Sequence, residues 1–187
     1  MTSEIERLLR NAHIFSRLVR RIFEEGYLNR ATRGAVTFDQ LNILKFLALP
    51  GTHFVKDVSI FLNASFAAAS KAVTRLEKKG VVRTARCGHD RRAQQIEVTA
   101  KGHSLIRRYE RLKASRVKGM LRGCDSGAIS RGLEGGIAML LKDRPMAGNP
   151  CLGCGAYYAK SCVARAHGQK CRCEPLSPSK ASRRLHS

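Results

Sequence analysis

Apolar residues recur at three- and four-residue spacing over most of residues 3–141, which is the periodicity of amphipathic helices. The pattern predicts helices over residues 3–27, 37–49, 54–62, 65–79, 99–120 and 126–141. Before the fifth of these helices, a β-type run begins at Val81, is interrupted at residues 87–90, and resumes from Ala93 to Val98. The predicted fold class is therefore mainly α with a small β-wing (α+β).

The order of elements over residues 58–98 is the most informative part of the pattern. Ser65 is the expected N-cap of the helix over 65–79, because its hydroxyl can accept a hydrogen bond from a first-turn N–H. Gly80 stands where a C-cap glycine belongs. One face of this helix is apolar and comprises Ala69, Ala72, Val73 and Leu76. A helix, a turn, a second helix and a hairpin in this order predict a winged helix-turn-helix, which places its second helix in the DNA major groove.

The first and last helices carry apolar faces that a small winged unit cannot cover by itself. The stripe on the first helix comprises Ile5, Leu8, Leu9, Ala12, Phe15, Leu18, Val19, Ile22 and Phe23. In the last helix, Gly132, Gly135 and Gly136 each cost up to about 1 kcal/mol relative to alanine, although glycine lets a partner helix approach closely. We therefore expect N- and C-terminal dimerisation helices and a homodimer. Residues 26–34 are expected to form a basic, turn-rich connection.

The net charge of +21 on 187 residues indicates a polyanionic binding partner. A surplus of this size causes self-repulsion unless a polyanion is near, and DNA or RNA is the usual one. A solvated basic surface without a partner is the alternative, and no long basic amphipathic helix near a terminus supports binding to a membrane. No apolar run is long enough to span a bilayer and the N-terminus lacks a signal-peptide core, so we expect a cytoplasmic protein.

Three short motifs lie in register along the helix, the hairpin and the next helix: LEKKGVV at 76–82, DRR at 90–92 and VTAKG at 98–102. Together they resemble the MarR family of bacterial transcription regulators, in which they form the helix-to-wing junction, the wing tip and the exit into the next helix. The resemblance covers roughly residues 8–141. It implies a dimer whose N- and C-terminal helices pack together. It also implies that Asp90 pairs with a following arginine to shape the wing, while an arginine at the tip enters the minor groove.

The helix pattern and the resemblance together give candidate DNA contacts on the second helix and on the wing. They are Ser65, Ser70, Lys71, Thr74, Arg75, Arg86, Asp90, Arg91 and Arg92. The sequence departs from the family at residues 66–69 (FAAA), where polar residues are common. Apolar side chains can contact a thymine methyl but cannot form the bidentate bonds that identify guanine or adenine. We expect sparse base reading in this turn and more weight on phosphates, DNA shape and the wing, unless the alanines serve helix propensity alone.

The composition changes after residue 141. The predicted domains are the winged-helix and dimerisation domain at 1–141, a linker at 142–150, a cysteine-rich segment at 151–173 and a basic disordered tail at 174–187. The candidate metal ligands are Cys151, Cys154, Cys162, Cys171 and Cys173. Four thiolates suit tetrahedral zinc or an iron–sulfur cluster, and metal would supply the folding energy that so few apolar residues cannot. Reversible redox thiols or a disordered tail are the alternatives.

The sequence lacks the usual motifs of catalysis: it has no GxSxG, no HExxH and no phosphate-cradling glycine loop, so we do not expect an enzyme. The favoured function is a dimeric DNA-binding transcription regulator. It would read the major groove with the helix over 65–79 and the minor groove with the wing, and its C-terminal cysteines would respond to metal or redox state. The alternative is a less specific nucleic-acid-binding protein with a structural zinc knuckle, marked by weak sequence preference and steep salt dependence.

Overall fold

The computed structural model describes residues 2–87, 90–143 and 163–166; between residues 86 and 94 the description is limited to backbone. The helices are α1 (Thr2–Val19), a π-helical stretch (Arg20–Tyr27), α2 (Leu28–Thr32), α3 (Phe38–Leu47), α4 (Val55–Leu62), α5 (Phe66–Lys78), α6 (Ala100–Met120), α7 (Ser126–Asp143) and α8 (Val163–Ala166). The strands are β1 (His53–Phe54), β2 (Val82–Cys87) and β3 (Asp90–Val98). The prediction of a mainly helical fold with a small β-wing is confirmed.

Side-chain caps set the starts of the central helices. Thr37 Oγ1 accepts from the Gln40 N–H at 3.3 Å while the Gln40 side chain accepts from the Thr37 N–H at 3.2 Å, which forms a capping box on α3. Ser65 Oγ accepts from the Ala68 N–H at 3.2 Å, and Thr99 Oγ1 from the Gly102 N–H at 3.2 Å. These caps satisfy N–H groups that no helical carbonyl can reach. The helices α3 to α7 each fall within two residues of their predicted bounds.

The sheet has three antiparallel strands in the order β1-β3-β2. In the hairpin, Val82 lies opposite Val98 and Thr84 opposite Ile96. The short β1 places His53 opposite the same Ile96 from the other side. The sequence pattern did not predict β1, because two residues are too few to show alternation. The hairpin of β2 and β3 is the wing.

The hydrophobic core lies between α2, α3, α4, α5, the base of the wing and the first half of α6. Its largest fully buried side chains are Tyr109, Leu41, Leu44, Leu76, Val58, Val81 and Val82. Tyr109 also donates its phenol proton to the Phe23 carbonyl at 3.1 Å, which links α6 to the π-helical stretch. A buried phenol requires such a partner, so this contact fixes where the N-terminal helical segment meets the core.

The N-terminal segment corrects one prediction. Residues 26–32 are helical rather than a turn-rich connection: the chain passes through the π-helical stretch into α2, which ends at Thr32 and is capped by Arg33 with φ 54°. Leu28 and Ala31 are buried on one side of α2, and the Thr32 hydroxyl donates to the Leu28 carbonyl at 2.9 Å. Burial of these side chains against the core outweighs the local turn signals, which is the usual way that packing overrides propensity.

The outer helices, α1 and α7, leave their apolar faces exposed in the single chain. The exposed residues are Ile5, Leu8, Leu9, Ile14, Phe15 and Leu18 on α1, and Ile129, Leu133, Ile137, Met139 and Leu140 on α7. Asp125 caps α7, because its carboxylate accepts from the Ala128 N–H at 2.9 Å. This helix continues to Asp143, two residues past the predicted domain boundary at 141. Among the described residues, no helix combines the length and hydropathy needed to cross a bilayer.

Candidate nucleic-acid interface

The second helix of the helix-turn-helix, α5, has an inward and an outward face. Ala69, Val73 and Leu76 are buried in the core. The opposite side is formed by residues spaced four, three and four apart, which stack along one face of a helix. They are Ala67, Lys71, Thr74 and Lys78, and all four are exposed. We call these four residues the outward stripe of α5.

The five DNA contacts predicted on α5 and its N-cap differ in exposure and in whether the helix itself uses their polar groups. Lys71, Thr74 and Arg75 are exposed on the outer side of the helix. Ser70 is half-buried, and its carbonyl accepts the Thr74 hydroxyl at 3.0 Å. Ser65 is exposed at the N-cap, where its side-chain oxygen already accepts the Ala68 N–H. The first three residues therefore present polar or charged side chains to a ligand, whereas the two serines also serve the helix itself.

Two neighbouring lysines at the end of α5 have different roles. Lys78 extends the outward stripe and was missed as a candidate contact, although its seven-residue spacing from Lys71 is a usable signal. Lys79 instead donates to the Ala35 carbonyl at 2.6 Å and to Gln40 Oε1 at 3.0 Å. This lysine ties the end of α5 to the start of α3, and its charge is already engaged within the protein.

The first turn of α5 presents apolar surface. Phe66 is 61% exposed, and Ala67 and Ala68 are exposed beside it. Only Ala69, the last residue of the FAAA sequence, faces the core. The departure from the family pattern therefore lies mostly at solvent-exposed positions of the first turn: Ala67 begins the outward stripe, and Phe66 lies to one side of it.

Hydrogen bonds fix the wing against α5. Glu77 Oε1 accepts from both the backbone N–H of Thr84 at 2.9 Å and its hydroxyl at 2.6 Å. At the base, the Thr99 hydroxyl donates to the Gly80 carbonyl at 2.8 Å. Gly80 has φ 68°, a left-handed conformation that glycine adopts without steric cost. Sequence reasoning missed the positioning role of Glu77, because Thr84 becomes its neighbour only when the hairpin folds back.

The wing carries the remaining predicted contacts, Arg86, Asp90, Arg91 and Arg92. Arg86 lies at the end of β2, and the other three begin β3. The register pairs Cys87 with Asp90 and shifts between Arg86 and Cys87, as at a bulge. The side chains of these residues lie outside the described part of the structure, so the pairing of Asp90 with an arginine stays a prediction.

The predicted metal ligands, Cys151, Cys154, Cys162, Cys171 and Cys173, all lie outside the described residues. Within residues 2–87, 90–143 and 163–166, no three or more His, Cys, Asp or Glu side chains come together as a metal site would require. Cys124, which precedes α7, is a free and exposed thiol. The cysteine-rich segment therefore remains a prediction from its spacing.

An ionic cluster joins the winged unit to α6. Glu110 Oε1 accepts from Lys45 on α3, and Glu110 Oε2 lies 2.6 Å from Lys113 Nζ. Burial lowers the pKa of Lys45, and the hydrogen bond to Glu110 only partly opposes this effect. Burial alone would raise the pKa of Glu110, but the hydrogen bonds from Lys113 and Lys45 outweigh it and lower the pKa. The carboxylate thus holds two ammonium groups at the junction of α3 and α6.

Solved structures of similar fold include DNA complexes. A transcription regulator of the MarR family matches with a TM-score of 0.62 and 18% identity, over 76% of this chain and 94% of that chain. Streptococcus pneumoniae FabT, solved in complex with DNA, matches with a TM-score of 0.59 and 20% identity, over 76% of this chain and 99% of that chain. The S. aureus MepR–DNA complex matches with a TM-score of 0.55 and 15% identity, over 72% and 98% of the two chains.

These likenesses confirm the fold that the sequence resemblance implies. The chain has the winged-helix fold of the MarR-family regulators. No family model matches the sequence, and no curated protein does.

Proposed function

We propose that the protein is a DNA-binding transcription regulator of the MarR type. The observation that carries the proposal is the outward stripe of α5, where exposed Lys71 and Lys78 flank Thr74 on the second helix of a helix-turn-helix. The net charge of +21 supports a polyanionic partner. FabT and MepR, which share the fold, have been solved with DNA. A regulator of this kind works in the cytoplasm, where it can reach DNA.

In this proposal, α5 enters the major groove and the wing reaches the adjacent minor groove. Lys71, Arg75 and Lys78 contact phosphates or base edges, because their exposed ammonium and guanidinium groups can approach a duplex. Glu77 acts as a positioning residue, since it holds Thr84 of β2 at a fixed place beside α5. The arginines of the wing add contacts in the minor groove, where negative potential is enhanced.

The test begins with selection of bound duplexes from a random-sequence library, followed by affinity measurements over a range of salt concentrations. Lys71→Ala and Lys78→Ala should each weaken binding and lower the slope of log K against log salt by about 1, because each removes one cation from the DNA. Lys118→Ala is the control, since Lys118 is exposed near the end of α6, away from α5. Its affinity and slope should equal those of the parent protein.

The outcome of the selection separates the two candidate functions. Enrichment of one pseudo-palindromic sequence supports the regulator. Absence of enrichment, together with steep salt dependence on every duplex, would instead identify a less specific nucleic-acid-binding protein. Exposure of Phe66, Ala67 and Ala68 in the first turn of α5 is the observation that keeps this second function in view.

We further propose that the protein is a homodimer in which a second copy covers the outer helices. The support is the run of large apolar side chains that α1 and α7 expose, including Leu9 and Leu140. Monomeric proteins rarely expose contiguous apolar patches of this kind, so the faces call for a partner. The glycines of α7 would allow two helices to approach closely.

Sedimentation velocity tests the dimer. Leu9→Glu should give a folded monomer at concentrations where the parent protein is a dimer, because a carboxylate would be buried without a partner. Ile60→Glu is the matched control, since Ile60 is an exposed apolar residue on α4 in the winged unit. Dimers of unchanged affinity for Leu9→Glu and for a second variant, Leu140→Glu, would rule out this interface.

For the tail, we propose that four of Cys151, Cys154, Cys162, Cys171 and Cys173 bind zinc or an iron–sulfur cluster, and that this site lets metal or redox state alter DNA binding. The support is their number and spacing in a short segment. Metal and acid-labile sulfide would be assayed in protein purified without oxygen, with Cys124→Ser as the control for an exposed thiol outside the segment. Iron with acid-labile sulfide would indicate a cluster, and zinc alone would indicate a structural site. Protein that contains neither metal would rule out the proposal.

A further inference from the structure

The first turn of α5 differs chemically from the turns that follow it. Phe66 is 61% exposed, and the next two residues, Ala67 and Ala68, are also exposed. One turn later, Lys71 introduces the first charge of the outward stripe. The hydroxyl of Thr74 donates to the Ser70 carbonyl at 3.0 Å, so its proton is already used within the helix. Apart from Lys71, the exposed side chains from Phe66 to Lys71 are therefore methyl and phenyl groups.

An apolar surface in the major groove has one matching group on DNA. Guanine, adenine and cytosine present hydrogen-bond donors and acceptors there, whereas thymine also presents its C5-methyl group. Alanine, threonine and phenylalanine side chains are the types that contact this methyl. A helix that presents lysines at one end and these side chains at the other is complementary to phosphates beside a thymine-rich base sequence.

We propose that Phe66 and Ala67 determine specificity by packing against thymine methyl groups in the operator, with the Thr74 methyl extending the contact. The inference rests on the proposed function, because it assumes that α5 enters the major groove. It adds the identity of the bases that this helix prefers. Exposed phenyl surface, which the folded chain leaves in water, becomes buried only when the duplex is bound.

The experiment uses the selected duplex and replaces thymine by deoxyuridine at one position at a time, which removes the methyl group and keeps base pairing. Each contacted thymine should lose about fourfold in affinity, which is the value of burying one methyl-sized group. Phe66→Ala and Ala67→Ser should bind more weakly and should also lose the preference for thymine over deoxyuridine. Both side chains are exposed, so neither variant removes a core contact.

Two controls separate methyl reading from a general loss of binding. Arg75→Ala should weaken binding to both duplexes and leave the ratio of their affinities unchanged, because an arginine contact does not depend on the methyl group. Ala114→Ser makes the same chemical change as Ala67→Ser at an exposed position of α6, and should change neither affinity nor ratio. Circular dichroism confirms that each variant is folded.

The outcomes distinguish this inference from the proposed function. A specific operator whose affinity is the same with thymine and deoxyuridine at every position overturns the inference and leaves the regulator intact. If both Phe66→Ala and Ala67→Ser keep the ratio of affinities for the thymine and deoxyuridine duplexes, the inference is also overturned, because other side chains would then contact the methyl group. If no sequence is enriched from the library, the inference and the proposed function are overturned together.

Discussion

The winged unit and the outer helices carry the same kind of amphipathic pattern but bury it in different ways. Leu41 and Leu44 of α3 are fully buried at 0% exposure, whereas Leu8 and Leu9 of α1 are 56% and 61% exposed. On α7, Leu140 is 68% exposed. Helical periodicity shows which face is apolar but not which molecule covers it. The winged unit therefore covers its apolar face with its own chain, whereas the apolar faces of the outer helices stay exposed in the single chain and would be covered in the proposed dimer.

The largest effect is expected from a matched pair of leucine truncations. Leu44→Ala should lower the free energy of unfolding by about 2–5 kcal/mol at every protein concentration, because it leaves a cavity in the core. Leu9→Ala should change the dilute monomer by less than about 0.5 kcal/mol, since its side chain is already in water. Urea unfolding followed by circular dichroism, repeated at several protein concentrations, measures both values.

Concentration is the control in this pair of variants. If the proposed dimer forms, the parent protein should gain stability by mass action as its concentration rises, and Leu9→Ala should gain less. The deficit of Leu44→Ala should remain constant. Equal deficits for the two variants in dilute protein would mean that α1 is packed against its own chain, contrary to the contrast between the two regions.

A second contrast lies within α6, which passes from the winged unit towards the outer helices. A Cβ on Gly102 would collide with the Val81 carbonyl oxygen and lie 2.7 Å from Val98 Cγ1. Gly102→Ala should therefore cost about 1–3 kcal/mol, because the wing base must move away. Thermal unfolding measures this loss. The loss of stability should be accompanied by weaker DNA binding, since the contact between Gly102 and the foot of the hairpin, at Val81 and Val98, positions the wing.

Gly119→Ala is the control on the same helix. Nothing lies within 4 Å of the Cβ that this substitution would add. The alanine should raise helix stability by up to about 1 kcal/mol, through propensity alone. A loss of stability equal to that of Gly102→Ala would show that the close approach at Val81 is not what requires the glycine.

The sequence predicted those parts of the fold that depend on neighbours three or four residues away. Thr37, Ser65 and Thr99 each cap the helix whose start their position indicates. The failures depend on distant residues. The strand β1 forms by pairing with distant residues of β3, His53 with Ile96 and Phe54 with Gln95. The helix α2 is stabilised by burial of Leu28 against a core that no local pattern reveals.

The same limit applies to the candidate interface. Lys71 and Thr74 follow from helical spacing and are found on the outer side of α5. Lys78 and Lys79 are adjacent and chemically identical in sequence, yet only Lys79 is held by Ala35 and Gln40. That distinction requires α3 to be placed beside the end of α5, which sequence periodicity does not provide.

The ionic cluster at Glu110, which joins α3 to α6, tests a charged contribution to the stability of the winged unit. Glu110→Gln should lower the free energy of unfolding at neutral pH by about 1–2 kcal/mol, between the values of surface and buried ion pairs. The pKa of Glu110 is lowered from its ordinary value of 4.5, so its contribution is complete above that pH. It is lost as the pH falls through the lower pKa of the folded protein.

Chemical unfolding across the acidic range checks this pH dependence. The stability gap between the parent protein and Glu110→Gln should close as the carboxylate is protonated. Glu6→Gln is the control, because Glu6 is exposed on α1, outside this cluster. A gap that stays constant through the acidic range would assign the loss to packing rather than to charge.

The smallest expected effect addresses α7. Nothing lies within 4 Å of a Cβ added to Gly132, so Gly132→Ala should stabilise the dilute monomer by up to about 1 kcal/mol. If a second copy packs closely on α7, the same methyl should weaken dimerisation, because it would hold the two helices apart. A higher free energy of unfolding of the monomer together with a lower dimerisation affinity in sedimentation would therefore locate the partner at this glycine. An increase in both the monomer stability and the dimerisation affinity would place the partner elsewhere. Gly132 would then lower the stability of α7 without a compensating contact.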